Sequence, residues 1–120
     1  MARNAPSIDA YGEGGFRLAG GVRHEGSLLI LADEPRAWPV ASMGELTLAS
    51  LEPVLAAGPA EVEVLLLGAG ARNALPSREV RDGLREAGIG FEFLDTPAAA
   101  KLYNLLTYEG RKLAAALIAV

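Results

Sequence analysis

The segment TPAAAKLYNLLTYEGRKLAAALIAV, Thr96 to Val120, restricts the folds open to this chain more than any other stretch. Thr96 is placed to cap a helix, Pro97 is pre-organised for its first position, and Gly110 supplies the stop. The apolar run after Lys112 then reads as a strand. A helix that ends in a tight turn and leads directly into a strand must pack back against a sheet. At about 100° per residue, Ala98, Leu102 and Leu105 share one stripe with Leu106 beside it, and Glu109 projects onto the same stripe. Glu109 is therefore expected to face inward, at the end of the helix dipole that disfavours its charge. Arg111 is the expected partner, with Lys112 second. Two readings follow: a local clamp that fixes the helix-to-strand turn, or a polar pocket made with Thr96 and Asn104. Tyr103 and Tyr108 are expected at the edge of the core.

A chain of 120 residues forms one domain, residues 1–120, and buries roughly two thirds of the surface its unfolded form exposes. With 51% hydrophobic and 22% charged residues it lies far from the composition of disordered chains, so it folds unaided. A net charge of -4 is the wrong sign for a nucleic-acid backbone, and no nucleic-acid partner is expected. The absence of cysteine removes disulfides, thiolate zinc sites and cysteine nucleophiles. No apolar run approaches the roughly 18 residues of a membrane span. The opening MARNAPSIDAYGEG has no apolar signal core and too few arginines for a transit peptide. A cytoplasmic chain is the expectation, with peripheral contact to the inner membrane left open.

Glycines punctuate residues 8–32, so a meander of short strands is expected at Ile8–Tyr11, Phe16–Leu18, Val22–His24 and Ser27–Ala32. The unbroken run Leu28 to Leu31 reads as covered on both faces. Pro35 and Pro39 break regular structure around Trp38, an expected partly buried anchor. Residues 47–57 carry leucines at helical spacing. Thr47 or Ser50 is the candidate cap, and Pro53 favours the later start. Val62 to Leu67 reads as a second central strand. Ser77 to Ala87 reads as a helix capped by Ser77 and stopped by Gly88, and Gly83 weakens it by about 1 kcal/mol relative to alanine. Phe91 to Asp95 is a short strand. Alternating helices and strands over the last two thirds make the class α/β, with helices on the faces of a sheet.

Gly68-Ala69-Gly70 follows a buried strand, where open α/β sheets bind ligands. It lacks the third glycine of a dinucleotide fingerprint and the lysine and hydroxyl of a phosphate loop, so a tight structural turn is the simpler reading. His24 stands alone and reads as a turn residue, with no metal-ligand spacing around it. Neither a metal nor a cofactor is expected. The charges of Arg78, Arg81, Asp82, Arg85 and Glu86 read as a solvated helix face.

The segments AAAKLYNLLTYEGRKLAAALI, IDAYGEGGFRLAGG, LLLGAGA and GIGFEFLDTPAA, with the single Trp38, together resemble a small domain family of largely unknown function. Its eukaryotic members include a mitochondrial complex I (NADH:ubiquinone oxidoreductase) assembly factor and an adipogenesis-associated protein. The resemblance covers nearly the whole chain. It implies a three-layer α/β fold with a mixed central sheet and a small added β layer from the N-terminal meander. It implies no reaction. The family's loop usually reads glycine-threonine-glycine, and Ala69 removes that hydroxyl here. The leading expectation is a non-enzymatic accessory protein acting through protein–protein contacts, in respiratory-complex or membrane-protein biogenesis. The alternative is a small-molecule or anion-binding, even catalytic, domain with a pocket near Gly68, Gly70, Thr96, Asn104, Glu109 and Arg111. A homodimer whose exposed apolar surface is its own interface is a third expectation, since strand meanders often leave pairable edges.

Overall fold

The computed structural model describes residues 5–120. Continuous apolar runs in β4 (Leu28–Leu31), β6 (Val64–Gly68) and β8 (Leu113–Leu117) build the centre of a five-stranded sheet, whose strand order is β5-β4-β8-β6-β7. β5 is Glu34–Ala37 and β7 is Gly90–Leu94. β8 runs antiparallel to β4 and parallel to β6, and β6 is parallel to β7, so the sheet is mixed. Strand alternation sends successive side chains to opposite faces. Leu28, Ile30, Leu66, Ala115 and Leu117 enter one core, while Leu29, Leu31, Leu65, Leu67, Ala114 and Ala116 enter the other. Both faces are covered, as the unbroken runs predict.

Helices cover the two faces because the crossovers run in opposite directions. The connection from β6 through α2 (Arg78–Glu86) leads outward to β7. The next, through α3 (Thr96–Tyr108), leads back past β6 to β8. Two crossovers of the same hand in opposite directions must put their helices on opposite faces. Accordingly Val80 and Leu84 of α2 join one core, and Ala99, Ala100 and Tyr103 of α3 join the other. The short α1 (Glu52–Ala57) adds Val54 to the α2 side, with Trp38 beside it.

The N-terminal meander forms a separate antiparallel sheet, β1 (Ile8–Gly12), β2 (Gly15–Leu18) and β3 (Val22–Glu25). Its Ile8, Phe16 and Leu18 pack into the α3-side core. The three-layer α/β architecture with an added β layer is therefore what the chain adopts.

Two local expectations need correction, and a third gains a physical reason. β5 exists despite Pro35, because it is an edge strand whose residues are all exposed and it pairs only with β4. Its hairpin turn places Ala32 at φ 52° and Asp33 at φ 65°, the positive values that a two-residue turn of the right twist requires. Neither Thr47 nor Ser50 caps α1. Instead they bond each other around one turn, Thr47 N–H to Ser50 Oγ at 3.1 Å and Ser50 N–H to Thr47 Oγ1 at 3.2 Å. The helix then starts at Glu52 with Pro53 in its first turn. Finally, Gly83 has a packing reason: an alanine Cβ there would lie 2.4 Å from Leu48 Cδ2.

Candidate functional site

Carboxyl ends of parallel strands are where this class of sheet binds ligands, and β6, β7 and β8 end together. The helix α3 begins there. Its cap is Asp95, whose side chain accepts from the Ala98 N–H at 2.8 Å, and not Thr96. An aspartate and a threonine in succession are both competent caps, and the one upstream takes the role. Thr96 is thereby released for another task and is fully buried.

Its hydroxyl donates to the Ile118 carbonyl at 2.7 Å and accepts from the Gly70 N–H at 3.0 Å. Backbone bonds close the rest of the junction: Ala69 N–H to Leu94 O at 2.7 Å, Thr96 N–H to Gly70 O at 2.8 Å, and Ile118 N–H to Gly68 O at 3.0 Å. Gly68 is required by contact, since a Cβ there would sit 2.8 Å from Thr96 Oγ1 and 2.9 Å from Leu117 Cδ2. Gly70 is required by conformation, at φ +102°. All of Gly68, Ala69, Gly70 and Thr96 are buried. The N–H groups of Ala69 and Gly70 are bonded within the protein and are not offered to an anion. The knot ties the ends of three strands to the start of α3 and presents no titratable group or nucleophile.

The remaining expected site residues lie elsewhere. Asn104 stands about 12 Å further along α3, at 1.5 Å per residue. Its side-chain amide accepts from the Ile8 N–H and donates to the Ile8 carbonyl, both at 2.9 Å. It occupies the place a neighbouring strand would take beside Ile8, at the start of β1. Glu109 is about 20 Å from the knot by the same rise, and it is exposed. The inward projection of Glu109 is therefore wrong.

The buried face of α3 is Thr96, Ala99, Ala100, Tyr103 and Thr107. Small residues share the core with Ala115 of β8, which lets helix and sheet approach closely, while Leu102 and Leu106 flank the contact. Leu105 is 57% exposed and Tyr108 78% exposed. The leucine stripe misplaced the face because the helix packs through its alanines, and Tyr108 leaves the core edge for solvent.

Arg111 donates to Glu63 Oε1 at 2.7 Å, a partner 48 residues away that the sequence reading did not name, and the charge of the expected Glu109 adds a smaller attraction. That hydrogen bond, followed by the attraction of the Glu63 charge, holds the guanidinium above its ordinary value. Both side chains are about half exposed, 40% and 52%, so solvent screens the pair and it fixes position more than it adds stability. Lys112 donates to the Ala60 carbonyl at 3.1 Å. The two basic residues together hold the segment before β6.

One polar node escaped the sequence reading. Ser27, buried, accepts the Ala119 N–H on its hydroxyl at 3.0 Å, and its carbonyl takes the Trp38 N–H at 3.1 Å and lies 2.9 Å from His24 Nε2. Only its position between Gly26 and an apolar run marks it. A shallow open depression of about 340 Å3 lies here, lined by Gly26, Ser27, Trp38, Pro39, Val40 and Ala41. It does not adjoin the Gly68 loop and carries no charged group. Among the described residues no group of three or more histidines and carboxylates is placed to hold a metal. No helix among the described residues is long and apolar enough to cross a membrane.

Residues 8–118 match the family described as Protein of unknown function (DUF498/DUF598). The chain belongs to this family. An uncharacterised protein of Rhodobacter capsulatus is 40% identical over 111 residues, covering 92% of this chain and 82% of its own. The NADH dehydrogenase (ubiquinone) 1 alpha subcomplex assembly factor 3 of Danio rerio is 36% identical over 111 residues, covering 92% of this chain. The matched part is 63% of that factor's length. The crystal structure of a protein described as an outer membrane protein of Bartonella henselae superposes with a TM-score of 0.90 at 32% identity, covering 100% of this chain and 99% of its own. The architecture described above is thus the family's own, and complex I assembly factors are among its members.

Proposed function

We propose that this family member is a non-enzymatic accessory protein that acts through protein contacts in the biogenesis of a respiratory or other membrane complex. The observation that carries this reading is the outer face of α3. Leu105 and Tyr108, three residues apart and so neighbours on one face, are 57% and 78% exposed on a well-capped helix. A large aromatic beside a leucine, on a rigid element and in solvent, is the composition of a docking anchor. The assembly role named for the Danio rerio relative supports the choice of partner class. The small-molecule alternative has less support: Gly68, Gly70 and Thr96 spend polar groups on one another and on Ile118, and Asn104, Glu109 and Arg111 lie away from them.

Capture from the native host at endogenous level tests the reading. The wild-type chain is expected to retain a respiratory or membrane-biogenesis component, and Leu105→Asp with Tyr108→Asp is expected to lose it at unchanged thermal stability. Recovery of no such component would count against the function. Equal recovery by the variant would move the contact off α3.

A further inference from the structure

The added sheet ends in a free edge, β3, whose charges are arranged to pair with a second copy of itself. Gly26 N–H bonds Gly14 O at 2.8 Å, and the register sets Phe16 against His24 and Leu18 against Val22. Antiparallel pairs alternate between bonded and non-bonded. Val22 and His24 therefore turn their peptide groups toward β2, while Arg23 and Glu25 turn theirs outward. No backbone partner for those outward groups exists among the described residues.

The other free edges are defended against self-pairing. β5 carries Pro35. On β7, Gly90 and Leu94 bond toward β6, which leaves Phe91 and Phe93 facing outward. A two-fold pairing that uses both would press Glu92 against its own counterpart, a like-charge contact. On β1, Asn104 takes up the outward peptide groups of Ile8.

We infer that the chain self-associates by antiparallel pairing of β3 with β3 of a second copy, about a two-fold axis at His24, with Arg23 opposite Glu25 of the other copy and Glu25 opposite its Arg23. This is the one register that uses both outward residues and sets opposite charges face to face. Registers centred on Arg23 or on Glu25 put like charges together. Within one chain Arg17 lies directly opposite Arg23, and Arg23 donates to Glu25 at 2.7 Å and to the Glu13 carbonyl at 2.9 Å. The hydrogen bond from Arg23, and then its charge, holds the Glu25 carboxyl below the usual carboxylate range. In the pairing proposed, Arg23 and Glu25 each meet the opposite charge of the second copy as well. Left-handed Gly21 and Gly26 bound the strand and keep the pairing short, so the dimer is reversible. It joins two three-stranded sheets into one and leaves the outer face of α3 open, because α3 lies beside β1 at the opposite edge.

Sedimentation equilibrium from about 10 μM to about 1 mM, the range of small reversible interfaces, tests this. The wild type is expected to pass from monomer to dimer. Arg23→Glu and Glu25→Arg are each expected to remain monomeric. The double variant R23E/E25R is expected to dimerise again, and an equimolar mixture of the two single variants is expected to form a heterodimer. A wild type that stays monomeric throughout would overturn the inference. So would dimers that persist in both single variants, or single variants whose association is not restored by the double change or by mixing.

Discussion

Thr96 is the residue on which the site reading turns. It has one hydroxyl, and both its capacities are used in a fully buried place, as donor to Ile118 O and acceptor from Gly70 N–H. An unpaired buried polar group costs about 1–3 kcal/mol, so removing the hydroxyl orphans a donor and an acceptor together. Thr96→Val is therefore expected to destabilise the domain by about 2–4 kcal/mol, whereas Thr96→Ser keeps the bonds and loses only a methyl, about 1 kcal/mol. Urea unfolding reads both as a shift in midpoint at unchanged slope. Equal losses for valine and serine would mean that the hydroxyl is not what holds the junction. The same residue shows the limit of local reading. Capping chemistry is short-range and Asp95 and Thr96 both satisfy it, so the sequence alone cannot say which of the two is spare for the knot.

At the scale of elements, glycine carries information that propensity does not. Gly83 sits in the middle of α2, where alanine is better by about 1 kcal/mol. Leu48 occupies the space its Cβ would need, at 2.4 Å. Gly83→Ala is accordingly expected to gain little in the wild type, because the Leu48 side chain must move, and to gain the full amount, about 1 kcal/mol, in a Leu48→Ala background. A double-mutant cycle by chemical unfolding measures that coupling, and additive changes would show that the contact is not made.

The strands at Leu28–Leu31 and Val64–Gly68 were legible because burial on both faces leaves an unbroken apolar run, and the helix ends were legible because Gly88 and Gly110 adopt the left-handed stop. β5 was hidden by Pro35, which only an edge strand accommodates. The buried face of α3 was hidden because its contact residues are alanines, and a stripe drawn through leucines rotates the helix toward Leu105 and Glu109. The partner of Arg111 is set by the parallel pairing of β6 with β8, which brings Glu63 across from a distant segment. No local pattern encodes that.

The whole molecule is a mixed sheet with helices on both faces, and a second small sheet beside α3. Of the six residues grouped as a candidate site, the fold gathers Gly68, Gly70 and Thr96 into one closed knot, and places Asn104, Glu109 and Arg111 away from it, along and beyond α3. The family's assembly-factor members and the exposed Leu105 and Tyr108 then direct attention outward, to surfaces. Function by contact requires that the ligand end of the sheet be sealed by its own hydrogen bonds.

Native-state hydrogen exchange at the Ala69 and Gly70 amides, with and without a panel of anions and metabolites, tests that requirement most directly. The expected result is that both amides exchange only through global unfolding, with a free energy equal to that from urea, and that no panel member changes it. Fast exchange at these amides, slowed by one of the added molecules, would contradict the account and restore the ligand site.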